Sequence, residues 1–378
     1  MIPYSKQYID NNDIKLVSRV LKSNFITQGP LVEKFENAIS KYVGAKYAVA
    51  VSSCSAGLHI AAMAGKLNKA KTLLTSPNSF CSTANAGIHC NAKVDFADIN
   101  IETGNISLIN LKQKMRKNNY KMLIPVHFAG LPVDMKYLRK ITPKKTIIIE
   151  DAAHALGAKY KDGTKIGCCK YSDMTVFSFH PVKSITTGEG GVVTTNNKDF
   201  YENLKILRSH GIVKNFKTKN KINPWYYEMQ TLGFHYRITD IQCALGIGQL
   251  RKINEFIRKR KKIAKYYDKF FIKFKNCKPL QLHQRNLSAN HLYVLKINFK
   301  KIKKSRRKVI ETLKKRGIST QVHYIPIYSH PFYRKKKKIN LKNMSSYYEQ
   351  CLSIPIFYSL NKKQQNYIIK SMKEIIDN

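Results

Sequence analysis

Three apolar runs in the chain each end in side chains that could take part in chemistry. The first leads into a serine-rich turn (51–57, VSSCSAG), the second into two acids and a histidine (147–154, IIIEDAAH), and the third into a lysine (177–183, FSFHPVK). A glycine-rich stretch, TTGEGG at 186–191, follows the lysine and would let backbone approach a ligand closely. Together the segments offer an anion site, an acid and an amine.

The serine-rich turn is the candidate anion site. It lies where a predicted strand runs into a predicted helix, so free amides and the hydroxyls of Ser53 and Ser55 could face a phosphate. Serine is also a common helix cap, and taken alone the turn fits that structural role better.

The roles of the acid and of the lysine are also undecided when each residue is considered alone. A carboxylate after residues 147–149 could keep a heterocycle nitrogen protonated, but an isolated D-A-A-H pattern favours Asp151 as a turn cap. A single lysine is usually a surface charge. Lys183 differs because it stands between a hydrophobic strand and the glycine-rich stretch.

The elements that would position these side chains alternate along residues 45 to 195. Short β-rich runs are separated by small or polar segments, several of them helical in pattern, as at 56–66. The seven predicted strands are 48–52, 72–76, 93–97, 122–126, 146–150, 174–178 and 191–194. This order predicts an α/β fold with a mostly parallel seven-stranded sheet covered on both faces, whose ligands bind at the carboxyl ends of strands.

A smaller domain is predicted after this sheet. Residues 239–271 have the periodicity of a long helix that would link the two parts. Beyond it, a strand at 291–299, a helix at 304–316 and a strand at 319–324 suit an α+β domain. We place the large domain at 1–250 and the small C-terminal domain at 251–378.

Charge is the unusual bulk property. The 68 lysines and arginines against 23 acids leave a net charge of +45, which would attract polyanions and makes a nucleic-acid-binding regulatory protein an alternative function. The basic runs lie mostly in the last third and lack aromatic residues interleaved for base stacking. Solvated lysine-rich faces, or an anionic substrate, explain the charge better.

Other sequence features exclude several classes of protein. No stretch approaches the roughly 18 uncharged apolar residues that cross a bilayer, and residues 1–10 lack an apolar signal core, so a cytoplasmic protein is expected. The eight cysteines include no C-x-x-C pair, so neither a metal site nor a disulfide framework is indicated.

Taken together, the motifs resemble those of the DegT-type nucleotide-sugar aminotransferases, whose architecture is fold-type I. The segments that carry the resemblance are 24–30 (NFITQGP), 52–57, 150–157, 178–183 and 236–242 (YRITDIQ). Within the family, SFHPVK with TTGEGG, and YEMQTLGF before residue 236, are most similar to the C4 aminotransferases of the pseudaminic-acid pathway.

The resemblance implies a pyridoxal 5'-phosphate cofactor and a role for individual residues. Lys183 would carry the cofactor covalently, and Asp151 would pair with its ring nitrogen, in keeping with the need for an anion beside a protonated ring. The other implied cofactor contacts are Ser55, Ala56 and Ser178 at the phosphate, Phe80 and Ala153 on the two ring faces, and His154 near the ring.

The resemblance also implies the substrates and the assembly. L-Glutamate would donate the amino group to a UDP-linked 4-keto-6-deoxy-N-acetylhexosamine, with Thr27, Gly29, His323 and Tyr324 as candidate sugar contacts. Relatives that dehydrate the sugar carry histidine in place of Lys183. Amination at C3, and a dTDP sugar, stay open alternatives.

One position departs from the family pattern. Relatives place asparagine where this chain has His235, and that asparagine reaches the cofactor phosphate of the neighbouring subunit. An imidazole can still donate one hydrogen bond. We therefore expect a homodimer with shared active sites.

Overall fold

The computed structural model describes residues 1–213, 225–334 and 339–377. Its central feature is a seven-stranded sheet with the order β1-β7-β6-β5-β4-β2-β3. The strands are β1 (Tyr47–Val51), β2 (Thr72–Thr75), β3 (Lys93–Phe96), β4 (Met122–Ile124), β5 (Ile147–Asp151), β6 (Met174–Ser178) and β7 (Gly191–Thr195).

Strand directions confirm the predicted mostly parallel sheet. Strands β3, β2, β4, β5 and β6 run parallel to one another, while β7 is antiparallel to both β6 and β1. Every predicted strand of this sheet is present, within two residues at each end. The carboxyl ends of β5 and β6 therefore lie side by side, and each leads into one of the reactive segments.

Helices cover both faces of the sheet because its strand residues are apolar on both sides. The helices of this part are α1 (Asn11–Leu21), α2 (Pro30–Val43), α3 (Cys54–Ala64), α4 (Ser82–His89), α5 (Leu108–Lys117), α6 (Met135–Ile141), α7 (Lys198–Arg208) and α8 (Asp240–Phe271). Phe177 and Val192 pack into one core with α2 and α8, whereas Val176 and Val193 pack into another with α3 and α7.

Helix α8 begins with a capping box, in which Thr239 accepts from the Gln242 amide and Gln242 accepts from the Thr239 amide. Its first half packs into the core of the large sheet and its second half, from Ile263 to Phe271, into a separate core. The predicted long helix is thus confirmed. The predicted domain boundary near residue 250 stays a prediction, because this one helix runs across it.

The C-terminal part contains a three-stranded antiparallel sheet and further helices. A two-stranded ribbon, β8 (Ile212–Val213) and β9 (Glu228–Met229), precedes α8. The remaining elements are β10 (Cys277–Pro279), β11 (Tyr293–Ile297), β12 (Cys351–Ile354), α9 (Arg306–Lys315), α10 (Pro331–Arg334), α11 (Lys342–Gln350) and α12 (Lys362–Asp377), with short 3-10 turns at Phe128–Gly130, Leu282–Gln284 and Ile327–Ser329. Within the described ranges, no helix is both long and apolar enough to cross a membrane.

The predicted strand at 319–324 is wrong. Only one isolated bridge forms there, between Gln321 and Ser353. Side chains take the backbone groups that a strand would have paired: the Tyr347 hydroxyl donates to the His323 carbonyl, and the Tyr324 amide donates to the Asn78 side chain. The segment therefore enters the active-site region as irregular chain.

Candidate active site

Lys183 lies in the turn that follows β6. Its amide donates to the His180 carbonyl at 2.9 Å, and the hydroxyl of Ser5 donates to the neighbouring Val182 carbonyl at 3.1 Å. The side chain is half-buried. Burial lowers the pKa of its amine, while the opposing charge of Asp151 limits that lowering. The structure thus places a desolvated amine beside an acid.

Asp151 is the last residue of β5 and is held on both carboxylate oxygens. Its Oδ2 atom accepts from the Thr83 hydroxyl at 2.6 Å, and its Oδ1 atom accepts from the Ala153 amide at 3.1 Å. The side chain is only 4% exposed. These bonds leave the carboxylate little freedom, so it is a fixed negative charge facing the Lys183 turn.

The other member of the acid pair has a structural role. Glu150 points to the opposite face of β5, because neighbouring side chains of a strand alternate. It accepts from His127 and from Tyr160, both at 2.6 Å, and from Ser172. Burial alone would raise the pKa of Glu150, but these hydrogen bonds and the nearby His127 lower it overall.

His154 closes one side of the site and carries an unused polar atom. Its Nε2 atom lies 3.1 Å from the Tyr324 hydroxyl, and its ring packs 4.4 Å from the His291 ring. The Nδ1 atom is buried and has no hydrogen-bond partner among the described residues. Burial, followed by the charge of Lys183, lowers the pKa of His154 well below its usual range, so the ring is neutral.

His323 is a second neutral imidazole on the same side. Its Nδ1 atom lies 2.8 Å from the Ser353 hydroxyl, and its side chain is 9% exposed. Burial and the charge of Lys183 lower its pKa to about 3. The structure therefore brings together four predicted site residues with Lys183: Asp151, His154, His323 and Tyr324.

The serine-rich turn opens helix α3 and lies against β7. Ser53 caps the helix by accepting from the Ala56 amide at 3.1 Å, so both groups already have a partner. A Cβ at Gly191 would lie 2.7 Å from the Cys54 nitrogen, which explains why glycine stands there. Ser55 is exposed at the first turn, where backbone amides favour an anion.

The remaining cofactor candidates lie around Asp151 and β6. Phe80 is 61% exposed, and its carbonyl accepts from the amide of Thr83, whose hydroxyl donates to Asp151, so the backbone of Phe80 lies close to that acid. Ala153 reaches Asp151 through its amide. Ser178 ends β6 opposite Gly191, beside the amino end of α3.

Three predicted site residues make contacts outside the group around Lys183. Thr27 forms a bridge with Thr239, and the Gly29 amide donates to buried Asp240 at 2.7 Å. These contacts join the start of α2 to α8. His235 is exposed, and its ring lies 5.4 Å from the His210 ring.

Sequence reasoning missed several residues that shape the site. Thr83 holds Asp151, His291 packs on His154, and Ser353 orients His323. Cys54 is also adjacent, since burial and then the charge of Asp151 raise the pKa of its thiol well above its usual range. Thr83 follows Phe80 by three residues, which is the spacing of one helical turn. Cys54 lies within the serine-rich turn, whereas His291 and Ser353 come from distant parts of the chain and have no local signal.

Comparisons with known proteins show the family of this chain. Residues 7–373 match the model of the DegT/DnrJ/EryC1/StrS aminotransferase family. The chain is 38% identical over 381 residues to the UDP-4-amino-4,6-dideoxy-N-acetyl-beta-L-altrosamine transaminase of Campylobacter jejuni subsp. jejuni serotype O:23/36, covering 100% of this chain and 98% of that protein. The family resemblance inferred from the sequence is thereby confirmed.

Solved structures show the same fold. Helicobacter pylori PseC, an aminotransferase involved in the biosynthesis of pseudoaminic acid, superposes with a TM-score of 0.91 at 31% identity, covering 100% of this chain and 99% of that one. The PLP-form of the putative sugar aminotransferase Spr1654 from Streptococcus pneumoniae gives a TM-score of 0.89 at 27% identity, covering 100% and 98%. The predicted aminotransferase architecture is confirmed.

Replacing Thr83 should test how Asp151 is held. Thr83→Val removes the donor to a buried carboxylate, and we expect a loss of about 2 kcal/mol in the free energy of unfolding. Thr83→Ser is the matched control, because it keeps the hydroxyl and should retain most of the stability. Urea denaturation measures both, and equal stability of the valine and native proteins would contradict the role of this bond.

Buried neutral imidazoles should make the protein less stable in acid. The pKa of His323 is about 3 in the folded protein and near 6.5 in the unfolded chain, so below pH 6.5 the unfolded state binds more protons. Stability should be full above pH 6.5 and fall as the pH is lowered toward 3. Between pH 6.5 and 5, His323 alone should account for about 2 kcal/mol.

Denaturation of the His323→Gln variant at pH 6.5 and at pH 5 tests whether His323 is the source of this loss of stability. The variant should lose about 2 kcal/mol less than the native protein over that interval. His283→Gln is the control, since that side chain is exposed. An unchanged pH dependence in His323→Gln would show that this imidazole is not the source.

Proposed function

We propose that this chain, which belongs to the DegT/DnrJ/EryC1/StrS aminotransferase family, transfers an amino group from L-glutamate to C4 of a UDP-linked 4-keto-6-deoxy-N-acetylhexosamine. The observation that carries the proposal is the desolvated amine of Lys183 beside the doubly held carboxylate of Asp151. The substrate is inferred from the Campylobacter jejuni relative, which matches the whole chain and whose name contains the 4-amino sugar that amination of such a keto sugar would give.

The residues of the site fit pyridoxal 5'-phosphate. Asp151 offers a fixed anion for a ring nitrogen, and the start of α3 offers amides for a phosphate. The buried, unpartnered Nδ1 atom of His154 offers a hydrogen bond to a ring substituent. When bound, the cofactor supplies an electron sink that stabilises negative charge on the carbon next to the amine.

The chain's own contribution is positioning and proton transfer. Asp151 keeps a proton on the ring nitrogen by its negative charge. The Lys183 amine, whose pKa burial lowers, can take a proton from the amino donor near neutral pH and return it. The rings of His154 and His323 are neutral, so they add no positive charge beside Lys183 and Asp151.

The proposed sugar contacts are of two kinds. His323 and Tyr324 lie beside His154 and next to the Lys183 turn, so they are placed to contact a substrate that reaches the amine. Thr27 and Gly29 contact α8 instead, and as sugar contacts they remain proposals that rest on the family resemblance.

We also propose a homodimer with shared active sites. His235 is exposed, as a residue that reaches a neighbouring subunit must be. Large apolar side chains near it in sequence are exposed as well, including Trp225 at 73% and Leu232 at 69%. Such exposed apolar side chains are typical of a protein interface.

The decisive assay incubates the protein with pyridoxal 5'-phosphate, L-glutamate and a panel of UDP and dTDP keto sugars, followed by mass spectrometry. Lys183→Ala should abolish amino transfer, with a decrease of at least about a thousandfold, because the covalent and proton-transferring amine is lost. Borohydride reduction and peptide mapping should place the cofactor's mass on Lys183 of the native protein. Cofactor found on another peptide would refute the assignment of Lys183.

The position of the new amine separates the substrate alternatives. Amination at C4 of the UDP sugar supports the proposal, whereas amination at C3, or of a dTDP sugar alone, would overturn the substrate and keep the reaction type. A protein that reacts with no keto sugar and binds duplex DNA in a strongly salt-dependent way would favour the regulatory alternative.

Mixed dimers test whether His235 serves the neighbouring subunit. Lys183→Ala and His235→Ala homodimers should be inactive and impaired, respectively. Subunits exchanged between them form heterodimers in which one site has Lys183 from one chain and His235 from the other. Activity per native site should then recover, whereas recovery that never exceeds the His235→Ala level would contradict a shared site.

A further inference from the structure

Two buried hydroxyl groups form a chain that ends at the acid of the active site. The hydroxyl oxygen of Thr83 lies 2.6 Å from Oδ2 of Asp151 and 2.7 Å from the hydroxyl oxygen of Ser79. The exposed fractions of Ser79, Thr83 and Asp151 are 6%, 0% and 4%. Groups buried to this degree must find their hydrogen-bond partners within the protein, so the three side chains share their hydrogens in a fixed order.

The order of donation follows from what each group can do. An ionised carboxylate only accepts, so Thr83 donates its hydroxyl hydrogen to Asp151. The carbonyl of Phe80 is a second acceptor, 3.2 Å from the Thr83 oxygen, but a neutral acceptor at that distance competes poorly with a carboxylate at 2.6 Å. Among the described residues, Thr83 is the one hydrogen-bond partner of the Ser79 side chain, so Ser79 donates to the Thr83 oxygen.

The loop that carries Ser79 is held by contacts from the C-terminal part of the chain. It connects β2 to α4. The buried side chain of Asn78 accepts from the Tyr324 amide at 3.3 Å, and the carbonyl of Pro77 accepts from the Ile327 amide at 3.1 Å. These bonds lie one and two residues before Ser79, so they fix the backbone from which its hydroxyl reaches Thr83.

The hydroxyl of Ser79 changes how well Thr83 can donate. A hydroxyl that accepts one hydrogen bond becomes a stronger donor, because bonds in a chain polarise one another where the local dielectric is low. Ser79 also occupies one side of the Thr83 oxygen, which turns the Thr83 hydrogen toward Asp151 and away from the carbonyl of Phe80. Without Ser79, the buried Thr83 oxygen would lose a donor and the hydroxyl could rotate.

We propose that Ser79 is a positioning residue for Asp151, which it reaches through Thr83, and that it holds the carboxylate ready for the ring nitrogen of the cofactor. The inference rests on the proposed function, because it takes Asp151 to be the partner of that nitrogen. Ser79 needs no contact with the cofactor or the substrate for this role. Its effect should therefore be lost when Thr83 loses its hydroxyl.

A double-mutant cycle in cofactor affinity tests this dependence. Apo protein of each variant is titrated with pyridoxal 5'-phosphate and followed by absorbance. Thr83→Val should weaken binding about fivefold and Ser79→Ala about twofold, as expected for one hydrogen bond and for the polarisation of that bond. The double variant should bind as Thr83→Val does. Unchanged affinity in Ser79→Ala, or two effects that multiply in the double variant, would overturn the proposal.

Ser76 offers a matched control in the same loop. Its side chain is 1% exposed, and its hydroxyl accepts from the Asn78 amide at 3.3 Å, with no bond to Thr83. Any effect of Ser76→Ala on affinity should multiply with that of Thr83→Val, because the two act independently. If Ser76→Ala were as dependent on Thr83 as Ser79→Ala is, the coupling would belong to the loop as a whole and the role of Ser79 would be refuted.

The Tm of the apo protein provides a second measurement of the same cycle, which requires neither the cofactor nor amino transfer. Ser79→Ala should lower the Tm by about 2 °C in the native background and by less than about 1 °C in Thr83→Val. Equal decreases in both backgrounds would contradict the chain of hydroxyls. Coupling in both the Tm and the affinity, in a protein that aminates no keto sugar, would refute the proposed substrate and support the role of Ser79.

Discussion

A fixed carboxylate at the end of β5 is the constraint on which the rest of the site depends. Asp151 must keep its negative charge while almost entirely buried, which is costly without hydrogen-bond donors. Thr83 and the backbone of Ala153 provide them, one from helix α4 and one from the chain that leaves β5. The packing of α4 against the sheet therefore determines where the negative charge lies.

Lys183, the positive partner of Asp151, is positioned by different means. Lys183 is carried on the turn after β6, which is parallel to β5 and adjacent to it, so the two strand ends bring the charges together. Contacts from the N-terminal segment, such as that of Ser5 with Val182, hold the turn from outside the sheet. Burial lowers the pKa of the lysine and also keeps His154 and His323 neutral. One physical effect thus sets the protonation of three groups in the site.

Helix α8 joins the site to the second core and carries Arg260, one of the buried basic residues. Arg260 sits where the helix passes the Lys183 turn, His291 and Ile356. Its guanidinium links the C-terminal part to the site through carbonyl groups, and the carbonyl of His291 belongs to the residue that packs on His154. The net charge of +45 is thus not only a matter of solvated lysines on the surface.

Much of this molecule follows from its sequence alone. The strands, the parallel sheet and the long helix follow from hydrophobic periodicity, and parallel topology brings the strand ends that carry Lys183 and the acid pair to one edge. Periodicity alone could not decide which acid of the pair faces the site, because alternation along β5 gives a direction only once the faces of the sheet are known, and it was the family resemblance that implied Asp151. Thr83, His291, Ser353 and Arg260 depend on contacts between distant segments. At residues 319–324 a β-rich pattern was misleading, since tertiary hydrogen bonds from Tyr347 and Asn78 replaced strand pairing. Local patterns thus determined the elements and the reactive residues, whereas the partners that fix their orientation and protonation arise only from packing.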